Sequence, residues 1–129
     1  MENISNEDIL ETLKLDISRG KIHALLHVIT FSDNGHSVVY NQSLGLSAYG
    51  DNEQEARKMF VEVVIPDFCK HLLEQNEATI FAFLKEHGWE RHAIYKKDLS
   101  KKTHVDKDGI LRDFDLASDT VIKEDFIAA

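Results

Sequence analysis

Three histidines stand where a metal could be held. His23 and His27 lie four apart in a run that reads as a strand, so both project from one face, and His36 follows on the returning strand beyond Asn34-Gly35. A zinc site needs further ligands at bonding distance and hydrogen bonds that fix each imidazole. With Leu25 between the first two and no compact ligand spacing, these residues read as packing or edge histidines, and no metal is expected. His104, Asp106, Asp108, Gly109 and Asp115 partly imitate a calcium loop. The first ligand position is His, the last is Asp115 where a bidentate Glu belongs, and neither flank reads as a helix, so Asp-Lys-Asp-Gly is expected to form a tight turn. Cys69 is the only cysteine, sits among apolar residues with no activating neighbour, and reads as a packed, inert thiol that forms no intrachain disulfide. Asp33 and His36 flank a turn and Asp51 has a capping role, so neither an acid–base pair, a nucleophile with its base, nor a glycine-rich phosphate cradle is indicated. No catalytic residue and no cofactor is expected; a metal-dependent hydrolase built on His23, His27 and Asp33 is the weakest reading.

The elements that position these residues turn on the stretch from Leu44 to Ala56. Leu46 and Ala48 alternate with Ser47 and Tyr49 as in a half-buried strand, and Gly50 releases the chain into a turn. Asp51 is placed to accept a helix N-terminal amide, and Gln54 can reach back to the Asp51 amide, which makes a capping box. Ahead of this junction, Lys21 to Phe31 reads as a strand with Ile22, Ala24, Leu26 and Val28 on one face and Leu25, Ile29 and Phe31 on the other. Such a strand is covered on both sides, by helices of its own chain or by a second subunit. Asn34-Gly35 then predicts a tight hairpin returning through Val38 and Tyr40. The earlier Ser5…Asp8 signal with Ile9, Leu10 and Leu13 predicts a short N-terminal helix, although Leu13, Leu15 and Ile17 also fit alternation.

After the junction, Ala56, Met59, Phe60, Val63, Val64, Phe68 and Leu72 recur at helical spacing, with a kink or break expected at Pro66. A second helix is expected from Asn76 to His87, ended by Gly88 in a left-handed cap with Trp89 packing back. Residues 92–97 could form a last short strand, Lys96 to Lys102 reads as solvated, and the remainder reads as an extension ending in apolar Val121, Ile122, Phe126 and Ile127. The expected fold is α+β: a three-stranded antiparallel sheet in a β-β-β-α core, a long packed helix, a second short helix and a C-terminal extension. The divisions are an extension over 1–20, the core over 21–95 and an extension over 96–129.

Length and composition fit one domain: 129 residues, 43% hydrophobic and 29% charged, with a net charge of −8. Residues 1–95 carry 15 acidic and 8 basic side chains and residues 96–129 carry 8 and 7, so the acidity is concentrated in the first part. An acidic surface favours a basic partner over nucleic acid or an anionic membrane. No recognition helix is apparent, so direct nucleic-acid binding is disfavoured. With no signal-peptide pattern and no membrane-length apolar run, the sequence reads as cytoplasmic.

Together, the hairpin, the Leu44-Gly45-Leu46-Ser47-Ala48-Tyr49-Gly50-Asp51 strand end, the Glu53-Gln54-Glu55-Ala56 helix start and the later Phe83-Leu84-Lys85-Glu86-His87-Gly88-Trp89 resemble the HicB-like antitoxin family over residues 21–90. Tyr49 to Ala56 is similar to that family's Gly-Asp-Thr-x-Glu-Glu-Ala motif, with Asn52 for the Thr and Gln54 within the acidic run. The structural positions it marks are Gly45, Tyr49, Gly50, Asp51, Glu55, Ala56, Gly88 and Trp89. Ser43 stands where the family usually has proline, and residues 96–129 show no helix-turn-helix or ribbon-helix-helix of the kind that lets many members repress their operon. The resemblance implies a partial RNase H-like fold without catalytic residues, a homodimer or higher homo-oligomer, and neutralisation of a small basic HicA-type ribonuclease by direct binding. Val121, Ile122, Phe126 and Ile127 are the expected partner-binding residues, since an apolar tail can order on a partner. The alternative is a self-assembling orphan relative without a toxin.

Overall fold

Alternation decides the start of the chain. The computed structural model describes residues 9–104 and 106–129. In β1 (Ile9–Asp16) the residues Ile9, Glu11, Leu13 and Leu15 are buried while Leu10, Thr12 and Lys14 are exposed. The N-terminal helix expected here is thus a strand from Ile9 onward: two neighbouring strands supply its hydrogen bonds, and the period-two pattern prevails over a local capping signal. Ser5, which carried that signal, lies outside the described residues.

β2 (Lys21–Asp33) and β3 (His36–Asn41) form the expected hairpin, with Asn34 and Gly35 at φ 51° and 83° as a tight turn of this kind requires. β4 (Leu46–Gly50) completes the meander and leads into α1 (Glu53–Met59). A π-helical turn over Phe60–Val64 joins α1 to α2 (Ile65–Leu73), and α3 (Glu77–Glu86) follows. The chain then adds β5 (Glu90–Arg91), β6 (Asp98–Thr103), α4 (Lys107–Asp113) and β7 (Lys123–Ala128). The class is α+β, but among the described residues the sheet is antiparallel with seven strands, not three. Segments expected to lie outside the core supply β1, β6 and β7. Lys96–Lys102, expected to be solvated, includes most of β6, which pairs with β1 on one side and β5 on the other and buries Leu99. The strand expected at 92–97 falls instead on the turn between β5 and β6.

Hydrogen-bonded neighbours run β4-β3-β2-β1-β6-β5, and β7 also pairs with β2. A strand has two edges, so two of the three partners of β2 share one. At Leu25 the chain pairs with both Thr12 of β1 and Ala128 of β7, and at Ile29 with both Tyr40 of β3 and Glu124 of β7. Hence β7 holds one edge, and β1 and β3 follow each other along the opposite edge, diverging around His27. The sheet forks there.

Helices α1 to α3 cover one face, where Leu26, Val28, Val39, Ala56, Phe60, Ile80, Leu84, Trp89 and Ile127 form the larger core. Each of the Val, Leu, Ile and Phe side chains among them contributes about 1.5–3 kcal/mol by leaving water. On the other face, α4 and the segment after it cover only part of the sheet, packing Ile110 and Ile122 against Ile9, Ile29, Phe31 and Val38. The helical run continues through Pro66 without the break allowed for there: Pro66 has no N–H for the Glu62 carbonyl, and the turn before it is widened, Ile65 N–H bonding Phe60 O five residues back. Gly88, at φ 87°, ends α3 as expected, and Trp89 N–H returns to Leu84 O at 2.9 Å with its ring buried.

Candidate functional site

At the fork, side chains do what a strand would otherwise do. His27 N–H donates to Glu11 Oε2 at 3.0 Å, and His27 O accepts from Asn41 Nδ2 at 2.7 Å. Glu11, 1% exposed, also accepts from Asn41 Nδ2 at 2.8 Å and Ser43 Oγ at 3.0 Å, all on the same oxygen. Asn41 Oδ1 takes Leu44 N–H at 2.9 Å and lies 3.0 Å from Ser43 Oγ, whose single proton is shared between it and the carboxylate. The cluster satisfies buried backbone groups that the diverging strands leave behind. These bonds among the described residues tie β1, β2, the end of β3 and the segment after it to one another, so the cluster holds the sheet in register. The sequence reading did not single it out. The signal was Glu11 on the buried side of an alternating run.

His27 points its ring the other way. Nε2 lies 3.0 Å from Glu124 Oε1, and the Phe126 ring stands edge-on at 5.4 Å between centroids. This group marks the border between the part of the outer sheet face that α4 covers and the part left open. The open part presents Leu10, Thr12 and Lys14 from β1, His23 and Leu25 from β2, and Phe126 and Ala128 from β7. An open groove of about 640 Å³ runs among Thr12, Lys14, His23, Leu25 and Ala128.

The structural positions expected from sequence fall as follows. Gly45 sits at φ 67° in the turn between β3 and β4, and Tyr49 is exposed on β4. A Cβ on Gly50 would lie 2.5 Å from Ala56 N and 2.8 Å from Glu55 Cβ, so the first turn of α1 rests directly on this glycine. The helix cap is Asn52, whose side chain accepts Glu55 N–H at 2.8 Å, and not Asp51. Asp51 is exposed one residue earlier, 3.7 Å from His36 Nδ1. Ala56 is fully buried under the sheet. Of the four expected partner-binding residues, Ile122 and Ile127 are buried inside the chain itself, which leaves Val121 and Phe126 exposed, at 59% and 43%. From Lys123 to Ala128 the tail is a strand paired with β2, not a free wrapping segment, and Val121 and Ile122 lie just ahead of it. Asp108-Gly109, expected in a tight turn, lies in α4 behind the Asp106 cap, where four further residues of helix, Ile110 to Asp113, carry the turn on.

The three histidines are not gathered: His27 bonds Glu124 and His36 approaches Asp51. No group of three or more His, Cys, Asp or Glu side chains able to hold a metal occurs among the described residues. Burial pushes the Cys69 thiol above its ordinary pKa, which favours the unreactive protonated form. Burial, then the nearby Asp113 charge, raises the Tyr40 phenol. Among the described residues no helix is long and apolar enough to cross a membrane. No protein-family model, curated protein or solved structure matches the chain.

Proposed function

We propose that the chain is a non-catalytic protein-binding module that docks a partner on the open part of its outer sheet face. One observation carries this reading: Leu10, Leu25 and Phe126 project from three strands into solvent beside a face that is otherwise covered. The HicB-like resemblance supplies the partner class, a small basic HicA-type ribonuclease neutralised by direct binding. The succession β2-β3-β4-α1 supports it, being the order that resemblance implies. So does charge, for residues 106–129, which border the open face, carry 7 acidic and 3 basic side chains.

The test is affinity purification of the full chain at low salt, from cells that encode candidate basic ribonucleases, beside a Leu25→Ser/Phe126→Ser variant. A stoichiometric small basic ribonuclease with the wild type and none with the variant is expected. Recovery of the chain alone, or equal recovery with the folded variant, sinks the proposal and favours the self-assembling alternative.

A further inference from the structure

The turn between β5 and β6 is built to expose what most turns hide. Ile94 and Tyr95 at its tip are 76% and 65% exposed, although the turn itself is thoroughly bonded. His92 Nδ1 accepts both Ile94 N–H and Tyr95 N–H, at 3.1 and 3.0 Å, and the His92 and Tyr95 rings lie 5.1 Å apart. His92 N–H bonds Asp98 O, Asp98 N–H bonds Tyr95 O, and Arg91 Nε bonds Lys96 O. Lys97 O accepts Leu15 N–H at 2.9 Å, which anchors the turn to β1. Two large apolar side chains on a frame already ordered lose little conformational freedom on docking.

Charge narrows what they dock against. Residues 90–104 carry Arg91, Lys96, Lys97, Lys101 and Lys102 against Glu90 and Asp98, a balance of +3 in a chain of −8. The rest of the molecule is therefore acidic, and it displays an apolar stripe of its own: Met59 and Val63, 43% and 52% exposed on the outward side of α1 and the π turn, flanked by exposed Glu55 and Glu62. Arg57 beside them is already paired with Asp125 at 2.8 Å, so the free charges there are Glu55, Glu62 and Lys58.

We propose that the Ile94-Tyr95 tip of one copy docks on the Met59-Val63 stripe of a second copy. The contact joins two different surfaces, so it builds head-to-tail assemblies. A patch this small gives weak association, with Kd on the order of 10–100 μM. The proposal involves no toxin and uses a surface separate from the outer sheet face, so either reading can fail alone.

The experiment is sedimentation equilibrium of the purified full chain up to about 1 mM, beside a tip variant (Ile94→Ser/Tyr95→Ser) and a stripe variant (Met59→Ser/Val63→Ser). Thermal unfolding first establishes that both exposed-site variants fold. The wild type is expected to grow with concentration, each variant alone to associate at least ten-fold more weakly, and the two variants mixed to form a one-to-one dimer through the single intact tip and stripe. A wild type that stays monomeric at every concentration overturns the proposal, including one whose tip instead binds anionic vesicles or a single-stranded oligonucleotide. So does a tip variant that assembles like the wild type, or a mixture that forms no dimer.

Discussion

Glu11 is the residue on which the sheet turns, because its one oxygen closes three hydrogen bonds where β1 and β3 part. Glu11→Ala leaves a backbone N–H, an amide and a hydroxyl to find other partners in a buried space, and a loss of about 3 kcal/mol or more is expected. Glu11→Gln keeps an acceptor oxygen in reach and should lose less; urea denaturation midpoints measure the difference. Sequence showed the alternation that buries this residue but not its partners, because Asn41 and Ser43 come near it only once two distant strands lie along one edge. Tyr40 and Cys69 bear on the alkaline limit. Both pKa values are raised in the folded chain, so the folded state keeps protons that the unfolded state releases. Stability is then full below the ordinary thiol and phenol values and declines as pH rises through them toward the raised folded ones. Cys69→Ala should make that decline shallower, which thermal melts across the alkaline range would register; an unchanged slope would count against the assignment.

Among the elements, α1 shows how a motif can be read correctly while its atoms are assigned wrongly. Strand, glycine, cap and helix were all visible between Leu46 and Ala56, yet the cap lies one residue later than expected, on Asn52, since element boundaries depend on backbone angles that local pattern does not set. Gly50 is needed for want of space. Gly50→Ala drives a methyl group into the Ala56 amide and the Glu55 side chain, and either β4 or α1 must shift, at about 1–3 kcal/mol. The change should appear as a lower unfolding midpoint together with faster amide exchange at the start of α1. β7 was legible as apolar but not as a strand: Lys123 to Ala128 shows no clean alternation, because its edge is guarded by charge. Phe126 N–H is taken by Asp125, and Arg57 and Glu53 pair with Asp125 and Lys123 across the unpaired side. These exposed ion pairs each contribute at most about 1 kcal/mol, so their effect is to block further strands from adding.

At the scale of the molecule, charge is laid out in blocks: 14 acidic and 7 basic side chains in residues 1–89, 2 and 5 in 90–104, and 7 and 3 in 106–129. The middle block is the basic hairpin that carries Ile94 and Tyr95. The strands do not respect those blocks, since β2 is paired with β1 and β3 from the first and with β7 from the last. Deleting residues 122–129 removes Ile122 and Ile127 from the two cores at once. The truncated chain is expected to lose its cooperative transition altogether, without leaving a folded core behind; a sharp melt near that of the full chain would contradict this.

The fork also sets a timetable. During synthesis the hairpin of β2 and β3 can close as soon as it emerges, and β1 can join it along the same edge. The other edge must wait while all the chain between Thr30 and Lys123 is added. Until then the middle of β2 offers bare backbone and a row of Leu26 and Val28 to whatever strand arrives first. Nascent chains crowded on one message could trade that edge with each other, so the yield of correctly folded protein should depend on how closely ribosomes follow one another.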